Sequence, residues 1–170
     1  MSPNMHSNLS LRAKTISDEP LIQQFMAEHW GGEPIIVNCQ GYYPSRLPGF
    51  LAFDQSAFLG CLIYEEQEPD WEIIAFDVLE KYQGIGTRLL QAFLDQAARN
   101  GCHRVHLMTT NDNIDALRFY QRRGFSLAGI RLGACIAGRR LKPSLPEIGD
   151  YGIPIRDEIL LEKCLPPPAT

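Results

Sequence analysis

The chain has 170 residues, 45% of them hydrophobic and 21% charged. That is ordinary globular composition, and enough chain to bury a core without metal or disulfide staples. A net charge of −4 at pH 7 gives no general attraction for nucleic acid or an anionic membrane surface. The longest apolar runs, such as Ile73–Phe76, fall far short of the ~20 residues of a membrane span. The first fifteen residues hold no apolar stretch of the kind a secretory signal needs. The expectation is a cytoplasmic protein with neither nucleic acid nor membrane as partner.

Residues 1–8 are polar and expected as a loose arm. A weakly alternating strand spans Leu9–Lys14. Ser17-Asp18-Glu19-Pro20 has the chemistry of a helix start, with Ser17 as cap, and Leu21, Ile22, Phe25 and Met26 continue at helical spacing until Gly31-Gly32. Ile35–Cys39 is β-branched and predicts a strand; Gly41–Gly49 reads as a loop. Phe50–Asp54 and Ala57–Tyr64 predict two antiparallel strands, Glu65–Asp70 an acidic turn, and Trp71–Leu79 a strand buried on both faces.

Lys81–Gly86 is a glycine-containing loop. A helix follows over Thr87–Asn100, with Leu89, Leu90, Phe93, Leu94 and Ala97 as one stripe. His103–Thr109 predicts a strand, Asn111-Asp112-Asn113 a turn that caps a helix over Ile114–Arg123, and Gly124 its left-handed stop. Phe125–Ala137 reads as a strand, Lys142–Pro154 as a long loop, and Ile155–Cys164 as a final strand. Residues 165–170 form a Pro-rich tail, leaving 9–164 as one domain. The class is mixed α/β. The front strands predict antiparallel pairing and the later β-α-β segment one right-handed parallel crossover.

The five cysteines are scattered and form no CxxC pair, so thiols idle in a reducing compartment are expected rather than a zinc knuckle or redox motif. His103 and His106 fall three apart in a predicted strand, on opposite faces, so no shared metal is expected. The segment Lys81-Tyr82-Gln83-Gly84-Ile85-Gly86-Thr87 carries more. Gly84 and Gly86 let backbone approach a ligand, and the helix that follows offers unpaired N–H groups and a positive dipole end to an anion, pyrophosphate above all. A P-loop would need Lys after Gly86, and a dinucleotide fingerprint a third glycine; neither is present.

This loop and Asn111–Phe125 together resemble the GNAT superfamily of acyl-CoA-dependent N-acetyltransferases. Lys81-x-x-Gly84-x-Gly86 is similar to the family's Q/R-x-x-G-x-G/A loop, with Lys in the first place. Asn113-Ile114-Asp115-Ala116, then Phe119-Tyr120, then Gly124-Phe125, resembles its N-x-x-A-x-x-F/L-Y-x-x-x-G-F signature. The resemblance implies a splayed central β-sheet flanked by helices, with acetyl-CoA as co-substrate and no metal. It implies that Ile74, Ala75 and Phe76 offer backbone groups to the pantetheine amides. Lys81, Tyr82, Gln83, Gly84, Ile85, Gly86 and Thr87 would hold the pyrophosphate, Asn113 would meet the pantetheine arm, and Tyr120 would approach the sulfur.

The implied reaction is direct acetyl transfer to a primary amine of a small molecule or peptide. Tyr120 is the candidate acid for the leaving thiolate. Met108 stands where some members carry a glutamate base, and Glu72 is the substitute candidate. His29, Trp30, Tyr42, Tyr43, Arg46 and the basic run Arg139–Pro143 lie where the family recognises acceptors. A protein N-terminus as acceptor, and an idle acyl-CoA sensor, are the alternatives. The fold often dimerises through its C-terminal strands, so a homodimer stays open.

Overall fold

A computed structural model describes residues 8–81 and 83–166. Most of the expected arm and tail, and Tyr82 of the glycine loop, lie outside the described residues. In chain order the elements are β1 (Leu9–Ala13), α1 (Glu19–Trp30), β2 (Ile35–Val37), β3 (Gln40–Tyr42), β4 (Gly49–Asp54), β5 (Ala57–Gln67), β6 (Asp70–Val78), α2 (Ile85–Arg99), β7 (Arg104–Thr110), α3 (Ile114–Gln121), β8 (Ser126–Arg131), α4 (Ala134–Gly138) and β9 (Glu158–Cys164). Among the described residues, seven strands form one sheet in the order β1-β4-β5-β6-β7-β9-β8, and β2 pairs only with β3. β6 and β7 run parallel and the other neighbours antiparallel, so the single parallel crossover is the one that α2 makes.

Each face of the sheet carries its own core. On one, α2 buries Leu89, Leu90, Phe93 and Ala97 against Tyr64, Trp71 and Ile73, and the Tyr64 and Trp71 rings stack 5.1 Å apart. On the other, α1 buries Ile22, Phe25 and Met26 against Leu51, Ile63 and Ile74. The alternation along β6 divides it between the two, Trp71 and Ile73 facing α2 while Ile74 faces α1.

Several local expectations change. Thr15, not Ser17, caps the first helical turn. Asp18 is buried and accepts from the Thr15 amide and hydroxyl at 2.7 and 2.9 Å and from both Arg12 terminal nitrogens at 2.7 Å. A buried carboxylate needs such partners, and Arg12 on β1 supplies them. Arg12 and the Thr15 donors hold the Asp18 carboxyl well below its usual range.

The Gly41–Gly49 loop begins instead as β3, joined to β2 by a two-residue turn with Asn38 at φ 51° and Cys39 at φ 57°, the geometry of a tight hairpin. The strand expected over Phe125–Ala137 stops at Arg131. Gly133 turns left-handed at φ 71° and α4 follows, pinned where Gly133 N donates to Asp157 Oδ1 and Cys135 N to the Arg156 carbonyl. β9 starts three residues later than expected, and α2 two residues earlier. No helix among the described residues is long and apolar enough to cross a membrane.

Candidate active site

β6 and β7 are paired from Asp70–Arg104 to Ile73–Leu107 and no further. Beyond that rung β6 continues to Val78 on the β5 side alone, and β7 continues to Thr110 on the β9 side alone. The two parallel strands therefore part. Among the described residues no strand pairs with the β6 edge over 74–77 on the parting side, which leaves main-chain donors and acceptors there for a ligand. This is the splay that the family resemblance implied, and Ile74, Ala75 and Phe76 lie on it.

Below the end of β6 stands the N-terminus of α2. Gly84 is its cap, left-handed at φ 79°, and a Cβ built there meets nothing within 4 Å. A Cβ on Gly86 would meet the Phe76 and Phe119 rings at 3.5 Å, so the start of α2, β6 and α3 converge at that glycine. Gln83 and Gly84 thus form an open turn into a fifteen-residue helix whose first residues are Ile85, Gly86 and Thr87, the local geometry an anion needs. Ile85 is the exception: 1% exposed, it belongs to the core. Lys81 reaches toward Asp115 at 3.8 Å, so its charge is shared with a carboxylate. Thr87 accepts from Arg123 Nη2 at 2.6 Å, and the Arg123 guanidinium lies 3.7 Å over the Phe119 ring. This brings to the loop a cation that the sequence did not single out. These features, with the bare β6 edge, fit an acyl-CoA.

Asn113 caps α3, its Oδ1 accepting from Ala116 N at 3.1 Å, which leaves its amide NH₂ to donate elsewhere. Two turns along the same helix, Tyr120 is 5% exposed. Its ring packs edge-on to Phe119, Phe125 and Phe76, with centroids at 5.3, 5.2 and 6.2 Å. Phe76 lies beyond the point where the strands part, so the α3 aromatics pack against the β6 side of the parting. Burial raises the Tyr120 phenol above its ordinary range.

Glu72 sits one rung before the parting. It is no solvated strand end: it is 7% exposed, makes no hydrogen bond among the described residues, and burial, with Glu65 and Glu158 nearby, pushes its pKa up to about 7 against a weaker opposing pull from Arg131. His106 Nδ1 lies 3.9 Å from Glu72 Oε1. Burial, helped by Arg104, lowers the imidazole below its usual value, so burial moves both members of the pair toward their uncharged forms. Above them, Glu158 takes the Asn38 amide on both carboxylate oxygens at 3.0 Å, which fixes the β2–β3 hairpin over this part of the sheet. Burial, then Glu72 and Glu65, push the Tyr42 phenol up to about 12. Glu158 and Glu65 were not singled out as sequence, and His106 was weighed only beside His103 as a metal pair, because only the strand register brings the three to Glu72.

The basic run is largely spent elsewhere. Lys142, 8% exposed, donates to the Trp30 and Pro34 carbonyls at 3.2 and 2.9 Å and to that of Gly32, clamping the end of α1. Arg139 donates to the carbonyls of Leu145, Pro146 and Ile155. Neither is left to meet an acceptor's carboxylate. Trp30 and Tyr42 pack on the α1 core, the His29 ring lies against Phe25 at 4.6 Å, and Arg46 lies 4.9 Å from the Tyr43 ring centre. All five cysteines are free thiols. Burial raises Cys61, Cys102 and Cys135, Cys61 and Cys135 up to about 12. Among the described residues no three His, Cys, Asp or Glu side chains gather as a metal site. The surface depression lined by Ser10, Arg12, Phe53, Gln55 and Ser56 belongs to the far, β1 edge of the sheet and shares no residue with the splay.

The model of the acetyltransferase (GNAT) family matches residues 18–125. The uncharacterized protein YdhI of Bacillus subtilis is 40% identical over 146 residues, 85% of this chain and 91% of that one. N-alpha-acetyltransferase 30 of Schizosaccharomyces pombe is 31% identical over 102 residues, 55% of this chain and 68% of that one. A GNAT acetyltransferase from Elizabethkingia anophelis, solved with acetyl-CoA bound, superposes with a TM-score of 0.67 at 22% identity, covering 94% of this chain and 99% of the other. The splayed sheet, the glycine-led helix and these likenesses agree: the chain belongs to the GNAT family of acetyltransferases.

Proposed function

We propose that the protein transfers the acetyl group of acetyl-CoA directly to a primary amine. The observation that carries this reading is the parting of β6 from β7 after Ile73 and Leu107, directly above the Gly84-capped start of α2. In this reading the amides of Gln83–Thr87 hold the pyrophosphate, with Lys81 and Arg123 adding positive charge. The free β6 edge at Ile74, Ala75 and Phe76 meets the pantetheine amides and polarises the thioester carbonyl. The Asn113 NH₂ group donates to the pantetheine arm. Tyr120 donates toward the sulfur as negative charge develops there. Its buried phenol keeps its proton at any working pH, so it serves as a donor and not as a base. Glu72 is the base for the amine. A carboxyl titrating at about 7 is matched to proton transfer near neutrality, unlike an ordinary solvated glutamate.

The acceptor side supports an amine unaccompanied by a carboxylate, because Glu65, Glu72 and Glu158 gather there while Arg139 and Lys142 are engaged with backbone carbonyls. A relative named as an N-alpha-acetyltransferase puts peptide N-termini among the candidates. The test is thiol release from acetyl-CoA with spermidine, benzylamine and an alanine-initiated tetrapeptide, with the acetylated product identified by mass. Acetylation of one of them supports the reading. Tight acetyl-CoA binding with no turnover on any of these amines would instead favour a sensor domain.

A further inference from the structure

We propose that His106 is the proton exit of the site, a positioning residue that takes the acceptor's proton from the Glu72 carboxyl and passes it outward along the sheet. The inference rests on Glu72 as base. Transfer from acetyl-CoA to an ammonium forms one N–C bond and breaks one C–S bond. The nitrogen gives up two protons: one ends on the CoA sulfur, and the other is released to water at every turnover. A base buried as deeply as Glu72 must shed that second proton before it can act again.

Strand register supplies the route. Glu65 is opposite Glu72, Glu72 opposite His106, and His106 opposite Glu162. The four form one rung across β5, β6, β7 and β9, all on one face of the sheet. Along it, side-chain exposure rises from 9% at Glu72 through 15% at His106 to 32% at Glu162. His106 Nδ1 is 3.9 Å from Glu72 Oε1, about 1 Å longer than a hydrogen bond and within reach of a small side-chain rotation. At the outer end Glu162 is fixed by Arg104 at 2.7 Å, and Arg104 also holds Asp70 at 2.8 Å.

The charged and titratable groups around the pair come from every neighbouring strand. Glu65, Glu158, Arg131 and Tyr42 act on Glu72 or are acted on by it, and Arg104, Asp70 and Glu162 act on His106. Burial moves both groups toward their uncharged forms, the acid upward and the imidazole downward. The imidazole therefore holds a proton less firmly than the carboxyl does and hands it on toward solvent, as an outward relay requires.

The test replaces His106 by Ala, and separately by Gln, and measures turnover with acetyl-CoA and whichever of spermidine, benzylamine or the tetrapeptide is acetylated. The expected result is a kcat ~10-fold lower or more, with acetyl-CoA KM unchanged. The lost rate returns as imidazole or another small buffer is added to His106→Ala, while wild-type rate ignores buffer concentration. A merely structural histidine gives no buffer rescue. Full kcat in either folded variant, or a loss that no buffer restores at any pH, overturns the proposal. Glu72→Gln separates the two claims: if that variant is inactive while His106→Ala is fully active, the exit falls and the base stands. If Glu72→Gln retains full turnover, the base falls as well.

Discussion

Tyr120 and Glu72 show one physical cause, burial, used in opposite chemical senses. Burial disfavours the charged form of each. For the phenol this holds the proton in place; for the carboxyl it raises proton affinity into the range of a useful base. Tyr120→Phe keeps the ring packing against Phe119, Phe125 and Phe76 and removes only the hydroxyl. Turnover should fall about 10²-fold, the scale of a positioned acid, with acetyl-CoA affinity little changed. Normal turnover with chemistry rate-limiting would reduce the residue to packing.

Glu72 carries a linked stability prediction. Its folded pKa of about 7 lies above the ordinary 4.5, so between those values the folded chain binds more protons than the unfolded one. Stability is then lost as pH rises through that window, and the whole penalty is present above it. Glu72→Gln should therefore raise the melting temperature at pH 8, by a free energy on the order of 1–3 kcal/mol. It should make little difference near pH 4, while turnover drops sharply at pH 8. Thermal melts at the two pH values check the sign; a variant less stable at pH 8 would show that Glu72 is structural.

At the scale of elements, the informative unit is the turn into α2. Its glycines could be read from sequence because the reason for them is local: Gly84 must turn left-handed and Gly86 sits where two rings close in. The Asn113 cap and the Gly124 stop at φ 85° could be read for the same reason. The elements that escaped depend on distant partners. α4 replaces the end of a predicted strand because Gly133 and Cys135 are held by β9's approach at Arg156 and Asp157. The β2–β3 turn uses Cys39 at a position where sequence patterns point to glycine. Lys142, in the run placed with acceptor recognition, is instead taken up by the carbonyls at the end of α1, which no local pattern foretells. The prediction that belongs to this scale is Gly84→Val with Gly86→Val. The first forces a β-branched residue into left-handed backbone and the second adds methyls where β6, α2 and α3 meet. Acetyl-CoA affinity by calorimetry should fall at least tenfold, roughly 1.4 kcal/mol. Unchanged affinity in a folded double variant would remove the pyrophosphate assignment.

Across the whole molecule, the mixed class, the antiparallel front and the one parallel crossover followed from element order alone, since a helix between strands leaves few topologies. Neither the register of that crossover nor the rung at which β6 and β7 part follows from element order. Glu72 and His106 stand 34 residues apart and become neighbours only through the pairing at that rung, which is why the sequence offers Glu72 as a base and weighs His106 only beside His103. The central claim is that acetyl-CoA occupies the opening below that rung. Amide hydrogen exchange over the whole chain, with and without saturating acetyl-CoA, tests it most directly. Exchange should slow across 74–78 and 83–88 and stay unchanged along the β1–β4 edge; protection confined to other segments, or none at all at saturation, would contradict the account.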